Sequence, residues 1–306
     1  MDPAAQAQQR FQRGEALEKE KRFRDAMVEF RAAAKLGHGA AMTRIGLAHV
    51  FGHGVPKSAA KAHEWFKKSA ATGDAEGLRN LALDFRDGVP EAGVARDRAE
   101  GLRFMRMAGE AGLAKAMFNV GVWIGEDDSA DPEQIVWLKR AIDAGSVEAI
   151  NTLGACYKNG IGGLEKNVEA AIALYRQAAE KGDSTAMYNL GANHYHGTGV
   201  EHDLTKAAEW YERAMIAGHD GAAGALMDVK RTLADLKVSA PCSACGRPAT
   251  NRCSGCMLDT YCSVDCQRAH WQTHKAECKA KRADADKKKA GRTTLELCLV
   301  LEKKND

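Results

Sequence analysis

A glycine returns along this chain at nearly fixed intervals, and no other feature constrains the fold as much. Gly37, Gly73, Gly112, Gly145, Gly182 and Gly218 are separated by 36, 39, 33, 37 and 36 residues. Four positions after each stands a small residue: Ala41, Gly77, Ala116, Ala149, Ala186 or Ala222. Seven positions before each stands a large one: Phe30, Phe66, Met105, Leu138, Tyr175 or Tyr211. Eleven positions before come Ala26, Ala62, Gly101, Gln134, Ala171 and Ala207, with Gln134 the polar exception. Such a period marks stacked supersecondary units. The glycine ends a helix where φ is positive and a Cβ is unwelcome. The small residues let helices approach, and the large residue fills the space between them.

Within one unit the pattern predicts helices over 40–51 and 59–72. Ile45, Ala48 and Phe51 fall on one face of the first; Ala62, Phe66 and Ala70 do so on the second. Gly52-His53-Gly54-Val55-Pro56 lies between them, and Pro cannot continue a helix. The chain holds 54 Ala against 6% aromatic residues, which favours an all-α body over a sheet. Two helices per repeat, stacked side by side, give an α-solenoid over 1–236. A helix over 222–236 is expected to cap it.

The run Leu190-Gly191, Gly197-Thr198-Gly199-Val200, Lys206-Ala207-Ala208, Trp210-Tyr211, Gly218 resembles the Sel-like repeat (SLR), a relative of the tetratricopeptide repeat. Ile45-Gly46, Gly52-His53-Gly54-Val55, Lys61-Ala62, Trp65-Phe66, Gly73 matches it too. The resemblance spans about 40–222, with a degenerate hairpin at 23–37 before it. The third unit has a longer loop, 86–97. The fourth has Gly125-Glu126-Asp127-Asp128 in place of Gly-x-Gly-Val, so irregularity is expected around 123–133. Members of the family are adaptors that gather partners on a concave surface, and the resemblance implies that role here. The Gly-x-Gly pairs recur in step with the repeat, as structural turns do, and no Gly-Lys-Ser/Thr accompanies them as a phosphate loop would require.

Chemistry concentrates after a short linker, 237–241. Seven of the nine Cys lie in Cys242-x2-Cys245-x7-Cys253-x2-Cys256-x5-Cys262-x3-Cys266-x7-His274-x3-Cys278. These eight donors make two tetrahedral sites. Each Cys-x2-Cys is a knuckle that sets two sulfurs on one ion, and i, i+4 pairs offer both donors from one helical turn. A segment of 37 residues is too short to fold on its own core. Two structural Zn2+ ions are therefore expected, with no coordination position left for a catalytic water. Spacing leaves sequential and interleaved pairing both open.

The block resembles the MYND finger over 242–278, and Tyr261-Cys262, Cys266-Gln267, His270-Trp271 and His274-Lys275 match its flanking residues. That resemblance implies interleaved sites, with Cys242, Cys245, Cys262 and Cys266 on one ion and Cys253, Cys256, His274 and Cys278 on the other. It also implies a groove for short proline-containing peptides of the Pro-x-Leu-x-Pro type, contacted by Gln267 and Trp271. An amide beside a flat indole suits an extended, proline-bearing segment. With eight donors in place, His270 is read as packing beside a site. The ligand order does not match a RING finger.

Charge disfavours nucleic acid as the ligand. Lys plus Arg is 44 against 41 for Asp plus Glu, leaving +3. Within the finger four Arg/Lys face three Asp/Glu, and seven thiolates outweigh two zinc ions. The tail, 279–306, opens with seven basic residues in 279–292, including Lys287-Lys288-Lys289, and then carries the apolar run 295–301 around Cys298. The basic part reads as a solvated helix end. Cys156 reads as a small buried hydrophobe, and His194-Tyr195-His196 as a helix end without a metal. Clustered thiols, no apolar leader and no run of 18 apolar residues predict an intracellular protein, cytoplasmic or nuclear, with no membrane partner.

The function expected is a non-enzymatic adaptor, its repeats holding one protein and its finger a peptide from another. The alternative is a nucleus-associated transcriptional or ubiquitin-pathway regulator that uses the finger and basic tail. About 20 residues precede the first hairpin, too few for the F-box some such proteins carry. A SET–MYND methyltransferase would split its catalytic domain around the finger and carry Asn-His-x-Cys; here only 28 residues follow the finger and that motif is absent.

Overall fold

The computed structural model describes residues 2–238, 251–252, 260–261 and 270. Among these, successive helices pair into hairpins. α1 (Pro3–Lys19) packs on α2 (Phe23–Lys35), α3 (Gly39–Phe51) on α4 (Ala59–Ala71), and α5 (Ala75–Asp87) on α6 (Arg98–Glu110). α7 (Ala114–Asp127) packs on α8 (Glu133–Asp143), α9 (Val147–Asn159) on α10 (Val168–Glu180), and α11 (Ser184–His196) on α12 (Leu204–Ile216). α13 (Ala222–Val238) closes the row. Each even helix also packs on the next odd one, so contacts run between neighbours in sequence, as in a solenoid. The all-α repeat architecture is the one the glycine period predicts.

Two sets of glycines do different jobs. Gly37, Gly73, Gly112, Gly145, Gly182 and Gly218 each sit one residue past a C-cap with φ between 82° and 93°. A Cβ on any of them would meet nothing within 4 Å, so backbone conformation alone selects glycine there. Gly46, Gly154 and Gly191 lie mid-helix, where a Cβ would stand 2.5, 2.8 and 2.7 Å from the rings of Phe66, Tyr175 and Tyr211. Here space selects glycine. The large residues fill that space: Phe30, Phe66, Met105, Leu138, Tyr175 and Tyr211 are 0–4% exposed. The small column is equally buried, with Ala41, Ala116, Ala149, Ala186 and Ala222 at 0%.

Gly14 of α1 would press its Cβ into Phe30 in the same way, which makes α1 and α2 a hairpin of the same design. The sequence pattern marks that unit only from Phe23 onward, whereas its first helix is α1. A second difference concerns Phe51. It does not share the buried face of Ile45 and Ala48 but stands 57% exposed at the end of α3, near the ring of His53.

One hydrogen bond closes most of the loops within the hairpins. The N-cap amide of the even helix donates to a carbonyl in the last turn of the odd one: Ser58 to His49, Asp97 to Phe85, Asn167 to Tyr157 and Asp203 to His194, at 2.8–3.0 Å. The long third loop keeps this bond and absorbs its extra residues in a short 3-10 turn, Pro90–Ala92, between the bridged Val89 and Val94. The fourth loop cannot keep it, because the N-cap is Pro132, which has no N–H. Gln134 substitutes: its Nε2 donates to the carbonyls of Ser129 and Asp131, both at 3.0 Å. Gly125 leaves the room that Gln134 occupies. The irregularity expected at 123–133 is thus a local exchange of one closure for another.

α13 enters the array as an odd helix, with Ala222 and Leu226 buried. Two residues then break the pattern. Leu233 occupies the place of the loop glycines Gly52, Gly160 and Gly197, and the helix runs on to Val238. Met227 occupies the place of Gly46, Gly154 and Gly191 and is 72% exposed, with no even helix over it among the described residues. Among the described residues no further helix lies on the outer side of α13, the position that a capping helix takes.

Candidate functional site

The eight expected zinc ligands Cys242, Cys245, Cys253, Cys256, Cys262, Cys266, His274 and Cys278, the expected peptide contacts Gln267 and Trp271, and the tail 279–306 lie outside the described residues. Within 242–278 the structure describes a two-strand antiparallel ladder. β1 (Asn251–Arg252) pairs with β2 (Thr260–Tyr261) in the register Asn251 to Tyr261 and Arg252 to Thr260. His270 is helical and half-buried.

Among the described residues no group of three or more His, Cys, Asp or Glu could hold a metal. His194 Nδ1 instead bonds the Glu201 carbonyl at 3.3 Å, and His49 Nδ1 bonds that of Pro56 at 3.1 Å. Both histidines occupy the same repeat position, where they pin the following loop. Cys156 is a buried free thiol whose pKa is pushed up by burial, which makes it inert as a nucleophile. His63 Nδ1 meets Asp84 Oδ2 at 2.9 Å between α4 and α5; the Asp84 carboxyl is pushed up, chiefly by burial, against the lowering effect of His63.

Polar contacts link neighbouring odd helices at both ends of the row. Arg44 of α3 reaches Glu15 at 3.1 Å and Glu18 at 3.6 Å on α1. On α9 and α11, Asn189 donates to Asn151 at 2.9 Å, and Lys158 to Asn193 at 3.2 Å. α3 also touches α5 directly.

Sequence reasoning missed one cluster on this side. Ser69 sits in a column that is otherwise Ala33, Ala108, Ala141, Ala178 and Ala214, and it is fully buried. Its hydroxyl lies 2.7 Å from Thr43 Oγ1, 2.8 Å from the Gly39 carbonyl and 3.1 Å from Asp74 Oδ2. Asp74 also accepts from Thr43 Oγ1 and from the Gly77 amide, both at 2.8 Å. A Cβ on Gly77 would stand 2.6 Å from the Ser69 Cβ, so the small column carries glycine in the one repeat where serine replaces alanine. That paired exchange was the available signal. The cluster ties α3, α4 and α5 together beneath an open cavity.

Models of two known families match the chain. The Sel1 repeat matches residues 39–74, 75–113, 114–146, 147–183 and 184–219, and the MYND finger matches 242–278. The crystal structure of a Sel1 repeat protein from Oxalobacter formigenes superposes with a TM-score of 0.65 at 28% identity, covering 75% of this chain and 88% of that one. DAP3-binding cell death enhancer 1 of Mus musculus is 42% identical over 168 residues, 54% of this chain and 32% of that protein. SET domain and MYND-type zinc finger protein 6 of Schizosaccharomyces pombe is 41% identical over 54 residues, 17% of this chain and 11% of that protein. The chain spans about a third or less of the length of the curated relatives it matches. No described helix is long and apolar enough to cross a membrane.

Proposed function

The chain belongs to the Sel1 repeat family and carries a MYND finger, and from that premise we propose that it is a non-enzymatic adaptor. Repeats and finger are both protein-interaction modules, and the finger implies zinc. The observation that carries the reading is the division of labour along the chain. The described solenoid is held by apolar packing and loop hydrogen bonds, with no metal cluster among its residues. All but one of the cysteines outside the tail fall in the finger.

In this reading Cys242, Cys245, Cys262 and Cys266 hold one structural Zn2+, and Cys253, Cys256, His274 and Cys278 hold the second. The donor set fits the ion: seven thiolates and one imidazole fill two closed tetrahedra. The β1–β2 ladder is of the size and place that a finger organised by metal requires, since two residue pairs alone do not make a stable hairpin. Gln267 and Trp271 contact a proline-containing segment of one partner, and the odd-helix face contacts another. The module boundaries follow as 1–236 for the solenoid, 237–241 for the linker, 242–278 for the finger and 279–306 for the tail, although α13 itself continues through Lys237 and Val238.

Affinity capture with the intact protein and with Cys262→Ser in parallel tests the assignment. One set of proteins is expected to vanish from the variant and another to remain. Capture that does not differ between the two, or that enriches nothing, contradicts the adaptor reading. For the groove, Trp271→Ala with zinc retained is expected to weaken a Pro-x-Leu-x-Pro peptide by about tenfold or more. Unchanged affinity removes Trp271 from the contact.

A further inference from the structure

The loop edge of the first two hairpins carries an exposed aromatic ring among cations. From α5 onward the odd helices that lead into a hairpin loop end in a polar residue: Asp87, Asp127, Asn159 or His196. α3 ends in Phe51, which is 57% exposed, after Val50, which is 42% exposed. Phe51 lies 5.6 Å from the ring of His53, and His53 stacks on Phe23 at 4.3 Å, so the three rings join the loop after α3 to the start of α2. Beside Phe23 is a shallow hollow of about 340 Å3, lined by Lys21, Arg22, Arg24, Asp25 and Gly54. The stem of Lys57 lies against Gly52, next to Phe51. Residues 19–25 and 50–61 together hold six Lys or Arg and two Asp or Glu. Both carboxylates, Glu20 and Asp25, are paired with Arg22. Lys21, Arg24, Lys57 and Lys61 are exposed and make no side-chain ion pair or hydrogen bond among the described residues. Of the next carboxylates along the chain, Glu18 is held by Arg44, and Glu64 pairs with none of these cations.

We propose that this edge docks an acidic linear segment of a partner protein, with one apolar side chain on Val50 and Phe51 and carboxylates on Lys57, Arg24 and Lys21. An apolar patch with a charged rim marks an interaction site where a lone exposed side chain does not. The ring spacings let about three or four extended residues reach from Phe51 to the hollow. Cations without a partner of their own give up no ion pair on binding, and they steer an acidic segment to the site. Single-stranded nucleic acid fits less well. It needs a row of open ring faces, and Phe23 and His53 cover each other's. A bilayer fits less well too, since two side chains bury little area in it. The proposal rests on the repeats being a partner-holding module and adds a surface distinct from the odd-helix face. Its test uses a defined peptide and neither the finger nor captured proteins, so the two can fail separately.

The experiment is a titration of the full zinc-loaded chain with acetyl-Glu-Asp-Glu-Leu-Glu-Asp-Glu amide, read by the backbone amide signals of Gly52, His53 and Gly54 in 1H–15N spectra. The peptide is expected to shift these signals. Its uncharged counterpart, acetyl-Gln-Asn-Gln-Leu-Gln-Asn-Gln amide, is expected to bind at least about tenfold more weakly, and the acidic peptide with Ser for Leu about fivefold more weakly. Phe51→Ser, at an exposed helix end, is expected to weaken the acidic Leu peptide about fivefold and to leave the Ser peptide unchanged. Lys57→Ala, also exposed, is expected to weaken both acidic peptides about threefold. Equal binding of the charged and uncharged peptides, affinity for the acidic Leu peptide that neither variant changes, or signals unmoved by roughly 2 mM of that peptide overturns the proposal. So does tighter binding of oligouridylate, or of phosphatidylserine vesicles, that Phe51→Ser abolishes.

Discussion

Gly182 and Gly191 lie in adjacent repeats and look alike in sequence, yet they answer to different forces. Gly182 sits at φ 93° with open space around it, so Gly182→Ala is expected to cost about 1–2 kcal/mol through the left-handed backbone alone. Gly191→Ala drives a methyl into the Tyr211 ring and is expected to cost about 1–3 kcal/mol through overpacking. Thermal unfolding of the two variants, each with and without Tyr211→Leu, separates the causes. The second substitution relieves only the Gly191 variant. Burial also raises the Tyr175 and Tyr211 phenols to about 12. The unfolded chain releases these protons near the ordinary tyrosine value of about 10. Stability is therefore full below about pH 10 and falls as the pH rises toward about 12. Ultraviolet titration should show these two phenols ionising last, together with loss of helix; early ionisation with helix intact contradicts their burial. The glycine column was legible because a backbone requirement leaves the same residue at every repeat. The Ser69 cluster was not, because serine reads in sequence as another small residue until its partners Thr43 and Asp74 are seen beside it.

At the scale of elements, helix positions followed from the period, whereas loop closures did not. The closing bond runs from a backbone amide to a backbone carbonyl and leaves no side-chain signature, except where Pro132 forbids it. Gln134→Ala is expected to destabilise the chain by about 1–2 kcal/mol, since the Asp131 carbonyl loses its side-chain donor and the Ser129 carbonyl keeps only the Gly162 amide. Thermal unfolding measures this; a loss under about 0.3 kcal/mol contradicts the closure. α1 escaped the reading because its repeat lacks the Gly-x-Gly-Val loop, and only Gly14 against Phe30 reveals it. At the other end Met227→Lys is expected to change stability by less than about 0.5 kcal/mol, being exposed where its counterparts are covered. Gly191→Lys, its counterpart one repeat earlier, should prevent α11 from packing on α12. Equal tolerance at both sites contradicts the capping role of α13.

For the whole molecule, the sequence separated two ways of ordering a chain. Where the 45% of hydrophobic residues could be laid out at a helical period, packing suffices and the structure follows the pattern. In the 37 residues of the finger the apolar content is too small, and Cys and His at ligand spacing recur instead. The surface was the part least visible beforehand. Which side chains meet across α3, α5 and α7 depends on how repeats stack, and stacking is set by contacts between units that no single repeat encodes. The most direct measurement is native mass spectrometry of the intact chain before and after a strong zinc chelator, with circular dichroism in parallel. The adaptor account predicts two zinc ions per chain, both removed by the chelator, with most of the helical signal kept. A chain that carries no zinc as isolated, or whose solenoid unfolds when the metal leaves, contradicts it.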